Sequence, residues 1–184
     1  QERRGAGALQ GGGRILGEQG QVESSLSKLA PRLRALLEQP YPRFSDGEME
    51  ARRARLGALA EGLDAVLVCG ENRSGSGVGW LTGWPVTAEA VALFDPRRPG
   101  VLFVQYHNHV PLARRLARGF EVRWGGPSTI DSLEKELSGR DVRKLGVIGP
   151  LAAAKQRRLA QRFELVDLNA RYIALRLVKS AEEI

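Results

Sequence analysis

The chain has 184 residues, of which 42% are hydrophobic, and its formal net charge is +7. No apolar run approaches the roughly 18 residues of a membrane-spanning helix, and the first 13 residues hold no segment of signal-peptide length, so a cytoplasmic protein without a membrane span is expected. The 28 basic residues are interleaved with acidic ones rather than concentrated in a stripe, which argues against nucleic-acid binding. The length suffices for one sizeable core.

Four segments are expected along the chain. The first residues are rich in glycine and scattered charge, so they offer almost no apolar surface to bury, and leucines at helical spacing follow them. The segments are a disordered leader (1–25), an accessory helix with its linker (26–43), a compact domain (44–178) and the start of a linker or helix into a further domain (179–184).

The compact domain opens with a strong helix signal. Ser45 and Glu48 fit the reciprocal capping box, so a helix is predicted to begin at Ser45. The apolar stripe of this helix is Met49, Leu56, Leu59, Ala60 and Leu63, and its solvated face is taken to be Glu50, Arg52, Arg53 and Arg55.

The first predicted strand is the apolar run at residues 64–69, which suits a strand covered on both faces. It contains the single cysteine, Cys69, which we interpret as a packed and inert thiol. The helices on either side of the sheet must then supply both covering layers.

Five further strands and four helices follow in the pattern. Strands at residues 88–94 and 101–106 are joined by a turn too short for a parallel crossover, so this pair is predicted to be antiparallel. The remaining strands are expected at 120–124, 145–148 and 164–167, and the helices are expected to start at Asn108, Ser128, Pro150 and Asn169. The predicted fold class is α/β, with a mixed sheet of about six strands and helices on both faces.

A glycine-rich loop at residues 70–79 leads into Trp80-Leu-Thr-Gly-Trp-Pro85. In this loop Asn72 could hydrogen-bond a ligand, and Arg73 could pair with a substrate carboxylate. Trp80 and Trp84 could wall a pocket, or they could only pack the loop against the sheet.

The same loop resembles a dinucleotide site in position but not in spacing. Gly75, Gly77 and Gly79 give G-x-G-x-G, whereas the dinucleotide fingerprint has its third glycine three residues after the second, with a helix directly behind it. Trp80-Leu-Thr-Gly-Trp-Pro85 also makes a poor helix start. Binding of a small molecule, with a dinucleotide as one possibility, is kept as the alternative function.

Two histidines, His107 and His109, stand two residues apart. That spacing suits a metal ion only if both lie on one strand face, and no Cys, Asp or Glu at ligand spacing completes the set. A loop or helix-cap pair is the favoured interpretation, so no metal and no cofactor are expected in this chain.

The chain closes on a second capping box, formed by Ser180 and Glu183 just before Ile184. An isolated turn of helix is unstable in water. We therefore expect the native polypeptide to continue beyond this point.

Four stretches resemble the amino-terminal domain of creatinase/prolidase-type proteins, which include the Xaa-Pro peptidases. They are residues 44–56, residues 62–68, Trp80-Leu-Thr-Gly83 and the closing Arg176-Leu-Val-Lys-Ser-Ala-Glu-Glu-Ile184. The resemblance covers roughly residues 44 to 184, and residues 74–79 are an insertion relative to the family pattern.

The resemblance implies a non-catalytic α/β domain that helps to form a homodimer, covers the mouth of the partner subunit's active site and contributes to substrate selection. The full-length protein would be a hydrolase of Xaa-Pro peptidase or creatinase type. Its own C-terminal catalytic domain, with a pita-bread fold, would hold a pair of divalent metal ions in a peptidase. The candidates for lining a peptide or small-molecule substrate site are Asn72, Arg73, Trp80, Trp84, His107 and His109.

Overall fold

The computed structural model describes residues 30–38, 43–72, 74 and 76–184. The chain divides into two compact units, residues 1–42 and 43–184. In the first unit, helix α1 spans Pro31–Glu38, with proline at its first position, where the missing N–H costs no hydrogen bond. The leader predicted over residues 1–25 lies outside the described residues.

The second unit alternates strands and helices. Its strands are β1 (Ala65–Gly70), β2 (Ala90–Asp95), β3 (Arg98–Val104), β4 (Phe120–Trp124), β5 (Lys144–Ile148) and β6 (Glu164–Asp167). Its helices are α2 (Asp46–Leu59), α3 (Gly77–Thr82), α4 (Val110–Leu116), α5 (Thr129–Ser138), α6 (Ala153–Ala160) and α7 (Asn169–Leu177), with single 3₁₀ turns at His107–His109 and Ala181–Glu183.

The six strands form one mixed sheet in the order β4-β3-β2-β1-β5-β6. β2 pairs antiparallel with both β1 and β3, whereas the pairs β3–β4, β1–β5 and β5–β6 are parallel. The predicted antiparallel pair is confirmed as β2–β3. The parallel pairs β3–β4 and β5–β6 are each joined through a helix, as a parallel crossover requires. The α/β fold class predicted from the sequence is confirmed.

The core has two layers because successive residues of each strand point to opposite faces of the sheet. On β1, Val66 and Val68 face a layer formed by α2, α3, α4 and α7, while Leu67 and Cys69 face α5 and α6. All six residues of β1 are buried. Burial raises the pKa of the Cys69 thiol to about 12, which makes it unreactive at neutral pH.

Two predicted helix starts are wrong. The helix expected from Asn108 begins at Val110, because residues 107–109 first close a 3₁₀ turn in which His109 N–H donates to the Tyr106 carbonyl. α6 begins at Ala153 rather than at Pro150, since the chain turns at Gly149, whose φ is 87°.

α7 starts at Asn169 as predicted, but the role of helix cap that the sequence predicts for this residue is wrong. Asn169 is instead the first helical residue, and its Oδ1 accepts a hydrogen bond of 2.8 Å from the Gly149 N–H. A long-range partner has replaced the local one. Among the described helices, none is both long and apolar enough to cross a membrane.

Candidate functional site

A cavity of about 450 Å³ opens beside the start of α2. Its walls come from Phe44 and Arg52 at α2, from the loop after β1 together with Trp80 on α3, from Pro85 and Val86, and from Arg176 and Glu183 near the end of the chain. Its volume falls in the range of small-molecule sites. The glycine-rich loop (70–79) and the closing segment of the chain (176–184) are far apart in sequence, and they therefore meet at this cavity.

The assignment of Arg52 to the solvated face of α2 is wrong, since its side chain is 1% exposed. Its Nε donates to Glu48 Oε1 at 2.6 Å, its Nη1 donates to the Trp80 carbonyl at 3.1 Å, and its Nη2 lies 3.1 Å from Glu183 Oε1. The Phe44 ring lies over the guanidinium, with 3.7 Å between Cζ and the ring centroid. A buried charge is tolerated here because carboxylates and a carbonyl surround it.

The capping box predicted at Ser45 is only half formed. Ser45 Oγ accepts from the Glu48 N–H at 3.1 Å, but the Glu48 carboxylate turns to Arg52 and Arg55 instead of returning to Ser45. Glu182 takes over that second half, since its carboxylate accepts from Ser45 N–H at 2.8 Å and from Ser45 Oγ at 2.5 Å.

The second capping box does form, and Ser180 N–H donates to Glu183 Oε2 at 3.2 Å. Glu182 binds Ser45 and Glu183 binds Arg52, so two adjacent carboxylates fasten the last turn of the chain to the start of α2. We call residues 180–183 the closing turn. One wall of the cavity is therefore held in place by charge-assisted hydrogen bonds.

The attachment of the closing turn is expected to weaken in acid. The two hydrogen bonds from Ser45 lower the pKa of the Glu182 carboxyl below its ordinary value of 4.5. A lowered folded-state pKa contributes stability that is present above pH 4.5 and is lost as pH falls through the folded-state pKa. The free energy of unfolding, measured with urea between pH 7 and pH 3, should exceed that of Glu182→Gln above pH 4.5, and the gap should close in acid. A gap that does not change with pH would contradict the assignment.

Trp80 and Trp84 occupy different environments. Trp80 is 5% exposed, lines the cavity and makes an edge-on contact with Tyr172, with 5.6 Å between ring centroids. Trp84 is 2% exposed and lies in the core. Both positions follow from the short helix α3, whose C-terminal cap is Gly83 with φ 82°. The segment Trp80-Leu-Thr-Gly83, which makes a poor helix start, is the end of this helix.

Of the two polar loop candidates, Asn72 lies in an exposed turn, whereas Arg73 lies outside the described residues. Sequence reasoning misses the four charged residues of the cavity, namely Arg52, Glu71, Arg176 and Glu183. The last two belong to the closing segment that resembles the family linker, so that resemblance was the available signal.

His107 and His109 turn to different partners. His107 packs edge-on against Trp124, and His109 Nδ1 lies 3.0 Å from Thr87 Oγ1 while its ring packs edge-on against Tyr106. In the part of the chain that the structure describes, no three His, Cys, Asp or Glu residues are grouped to hold a metal ion. Around this pair Tyr106, Leu112 and Trp124 are 50%, 50% and 45% exposed.

A second depression, of about 650 Å³, lies between β3, β4 and α5. Two of its three arginines are already paired: Arg123 donates to Glu121 at 2.6 and 2.7 Å and to Glu136 at 2.6 Å, and Arg140 donates to Glu136 at 2.7 Å. The hydrogen bond from Arg123 lowers the pKa of Glu121. Because Arg123 and Arg140 are engaged and the remaining cations of the lining, Arg98 and Lys135, are exposed, this depression is a weaker candidate for binding a charged ligand.

No protein-family model and no curated protein matches the chain. Among solved structures, it is similar to an Xaa-Pro dipeptidase from Bacillus anthracis, with a TM-score of 0.61, 22% identity and coverage of 73% of this chain and 38% of that one. For an XXA-pro aminopeptidase from Streptococcus pyogenes the TM-score is 0.60 at 23% identity, and the match covers 72% of this chain and 100% of that one. For the N-terminal domain of cytoplasmic peptidase PepQ from Mycobacterium tuberculosis H37Rv the TM-score is 0.55 at 25% identity, and the match covers 68% of this chain and 98% of that one.

The match therefore spans only 38% of the Bacillus dipeptidase but nearly the whole of the isolated PepQ N-terminal domain. The same mixed six-stranded sheet underlies the comparison. The chain has the fold of the amino-terminal domain of the Xaa-Pro peptidases, the creatinase/prolidase group that its sequence resembles.

Proposed function

We propose that this chain is the non-catalytic amino-terminal domain of a cytoplasmic metallohydrolase of Xaa-Pro peptidase or creatinase type, and that it contributes to dimerisation and shapes the substrate site. The observation that carries the proposal is the closing turn, which Glu182 and Glu183 fix to Ser45 and Arg52 beside a ligand-sized cavity. If a catalytic domain follows Ile184, the fixed closing turn sets the direction in which the connecting chain leaves this domain, and it does so beside the cavity.

The exposed side of α7 supports a contact with such a domain. Ile173 and Leu177 are four residues apart, so they lie on one face of the helix, and both are largely exposed, as is Val178. Contiguous apolar surface of this kind is typical of an interface. In this proposal the chain's own catalytic domain covers it.

A second surface supports the homodimer. Tyr106, Leu112 and Trp124 are exposed around the histidine pair, and aromatic residues are enriched at the centres of protein interfaces. In the proposed dimer this aromatic surface faces the mouth of the partner subunit's active site, where His107 and His109 would reach a peptide substrate. The divalent metal pair of a peptidase would have its ligands in the catalytic domain.

The test compares the purified 184-residue chain with the product of its native reading frame. The chain alone is expected to hydrolyse neither Xaa-Pro dipeptides nor creatine in the presence of Mn²⁺. The native product is expected to hydrolyse one of them, and to lose that activity in EDTA. Turnover by the chain alone at an enzyme-like rate would overturn the proposal, as would a native product that ends at Ile184.

A further inference from the structure

Arg176, in the wall of the cavity beside α2, has unused hydrogen-bonding capacity and, unlike Arg52, no ion-pair partner among the described residues. Its Nη1 donates to Ser76 Oγ and lies 3.3 Å from the Tyr172 hydroxyl, while its Nη2 makes no hydrogen bond to any described residue. Within the described ranges, Arg176 also has no carboxylate within salt-bridge distance. The residue is half-buried at the cavity wall, and both hydroxyls bind the same nitrogen of its guanidinium, Nη1.

An unpaired carboxylate lines the same cavity. Glu71 has no salt-bridge partner among residues 43–72, 74 and 76–184, and its backbone is fixed by reciprocal hydrogen bonds with Ser74 of 3.0 and 2.9 Å. The other two charges of the cavity, Arg52 and Glu183, neutralise each other. Among the described residues of the cavity, one cation and one anion therefore remain for a ligand.

Apart from Ser74, Ser76 and Gly79, the rest of the wall is apolar. Phe44, Trp80, Pro85 and Val86 line it, and the volume of about 450 Å³ accommodates a molecule the size of an amino acid with an aromatic side chain. A phosphate dianion is disfavoured because the two cavity carboxylates would repel it and the four lining charges sum to zero.

We propose that this cavity binds a zwitterionic ligand with an apolar side chain, of the class of a free amino acid. Its carboxylate pairs with Arg176, its ammonium group with Glu71, and its side chain lies against Trp80 and Val86. The guanidinium fork suits a carboxylate, and the apolar wall accounts for the choice of side chain. The site lies wholly within this chain, so it stands whether or not a catalytic domain follows.

The experiment is calorimetric titration of the 184-residue chain with L-phenylalanine at pH 7. L-phenylalaninamide lacks the carboxylate and N-acetyl-L-phenylalanine lacks the ammonium group. Each is expected to bind at least about tenfold more weakly, which corresponds to about 1.4 kcal/mol. No detectable binding of L-phenylalanine, or equal binding of the three compounds, would overturn the proposal, and so would tighter binding of inorganic phosphate.

Variants assign the two ends of the ligand. Arg176→Gln is expected to weaken the binding of L-phenylalanine at least about tenfold. Arg171→Gln, which changes an exposed residue of the same helix, is expected to leave binding unchanged. Glu71→Gln alters an exposed side chain, and it should abolish the preference for L-phenylalanine over its N-acetyl derivative. If that preference survives in Glu71→Gln, or if Arg176→Gln binds as the parent does, the site is wrong.

Discussion

Replacing Arg52 with alanine is expected to lower the free energy of unfolding by about 3–5 kcal/mol, the range found when one partner of a buried ion pair is removed. The guanidinium contacts Glu48, Glu183 and the Trp80 carbonyl, and its side chain is 1% exposed. Without it, the largely buried Glu183 carboxylate loses its ion pair, Glu48 keeps only Arg55 at 3.3 Å, and Phe44 loses the group over which it stacks. Urea denaturation at pH 7 measures the loss.

Two controls separate charge from packing in this experiment. Glu50→Ala changes an exposed residue of the same helix and should alter the free energy of unfolding by no more than about 0.5 kcal/mol. The double variant Arg52→Met with Glu183→Gln keeps an unbranched side chain and removes one stranded carboxylate, so it should recover part of the stability. A loss below about 1 kcal/mol in Arg52→Ala would contradict the role assigned to Arg52.

Arg52 also shows what the sequence could and could not predict. Residues 49, 52 and 56 fall on one face of a helix, so the spacing placed Arg52 within the apolar stripe of Met49 and Leu56. The residue type pointed the other way, because arginine is rarely buried without partners. Its partner Glu183 is 131 positions further along the chain, and local periodicity carries no information on such a contact.

The sheet was predictable because each strand carries its own apolar pattern, and the six strands were found close to their observed bounds. Helix starts were less predictable because caps compete with tertiary partners. Asn169 has the chemistry of a cap, yet it accepts from Gly149, and the Glu48 carboxylate pairs with arginines instead of closing its box. At Asn169 a tertiary contact replaced the local cap, whereas at Glu48 an ion pair within the same helix did so.

The cavity was predictable in part. The glycine-rich loop and Trp80 were identified as a ligand-facing region, and Trp80 does line the cavity. Arg176 and Glu183 come from the closing segment, which the family resemblance marked as a linker rather than as a wall. The fold, and not a local motif, brings the two segments together.

Gly149→Ala is expected to cost about 3 kcal/mol or more, since two penalties combine at this residue. Gly149 adopts φ 87°, and a Cβ there would lie 2.1 Å from the Cys69 carbonyl oxygen. That oxygen belongs to the buried strand β1, so it cannot move aside as a flexible side chain would. The Gly149 N–H also holds Asn169, which couples the end of β5 to the start of α7.

The matched control is Gly62→Ala. Gly62 has nearly the same backbone conformation, φ 79°, but a Cβ added there would meet no heavy atom within 4 Å, so only the backbone cost of about 1–2 kcal/mol is expected. The difference between the two variants in urea denaturation therefore measures the clash with β1 alone. Equal losses would mean that the ends of β1 and β5 separate easily, and the close approach of the two strands would then not be a fixed feature of the sheet.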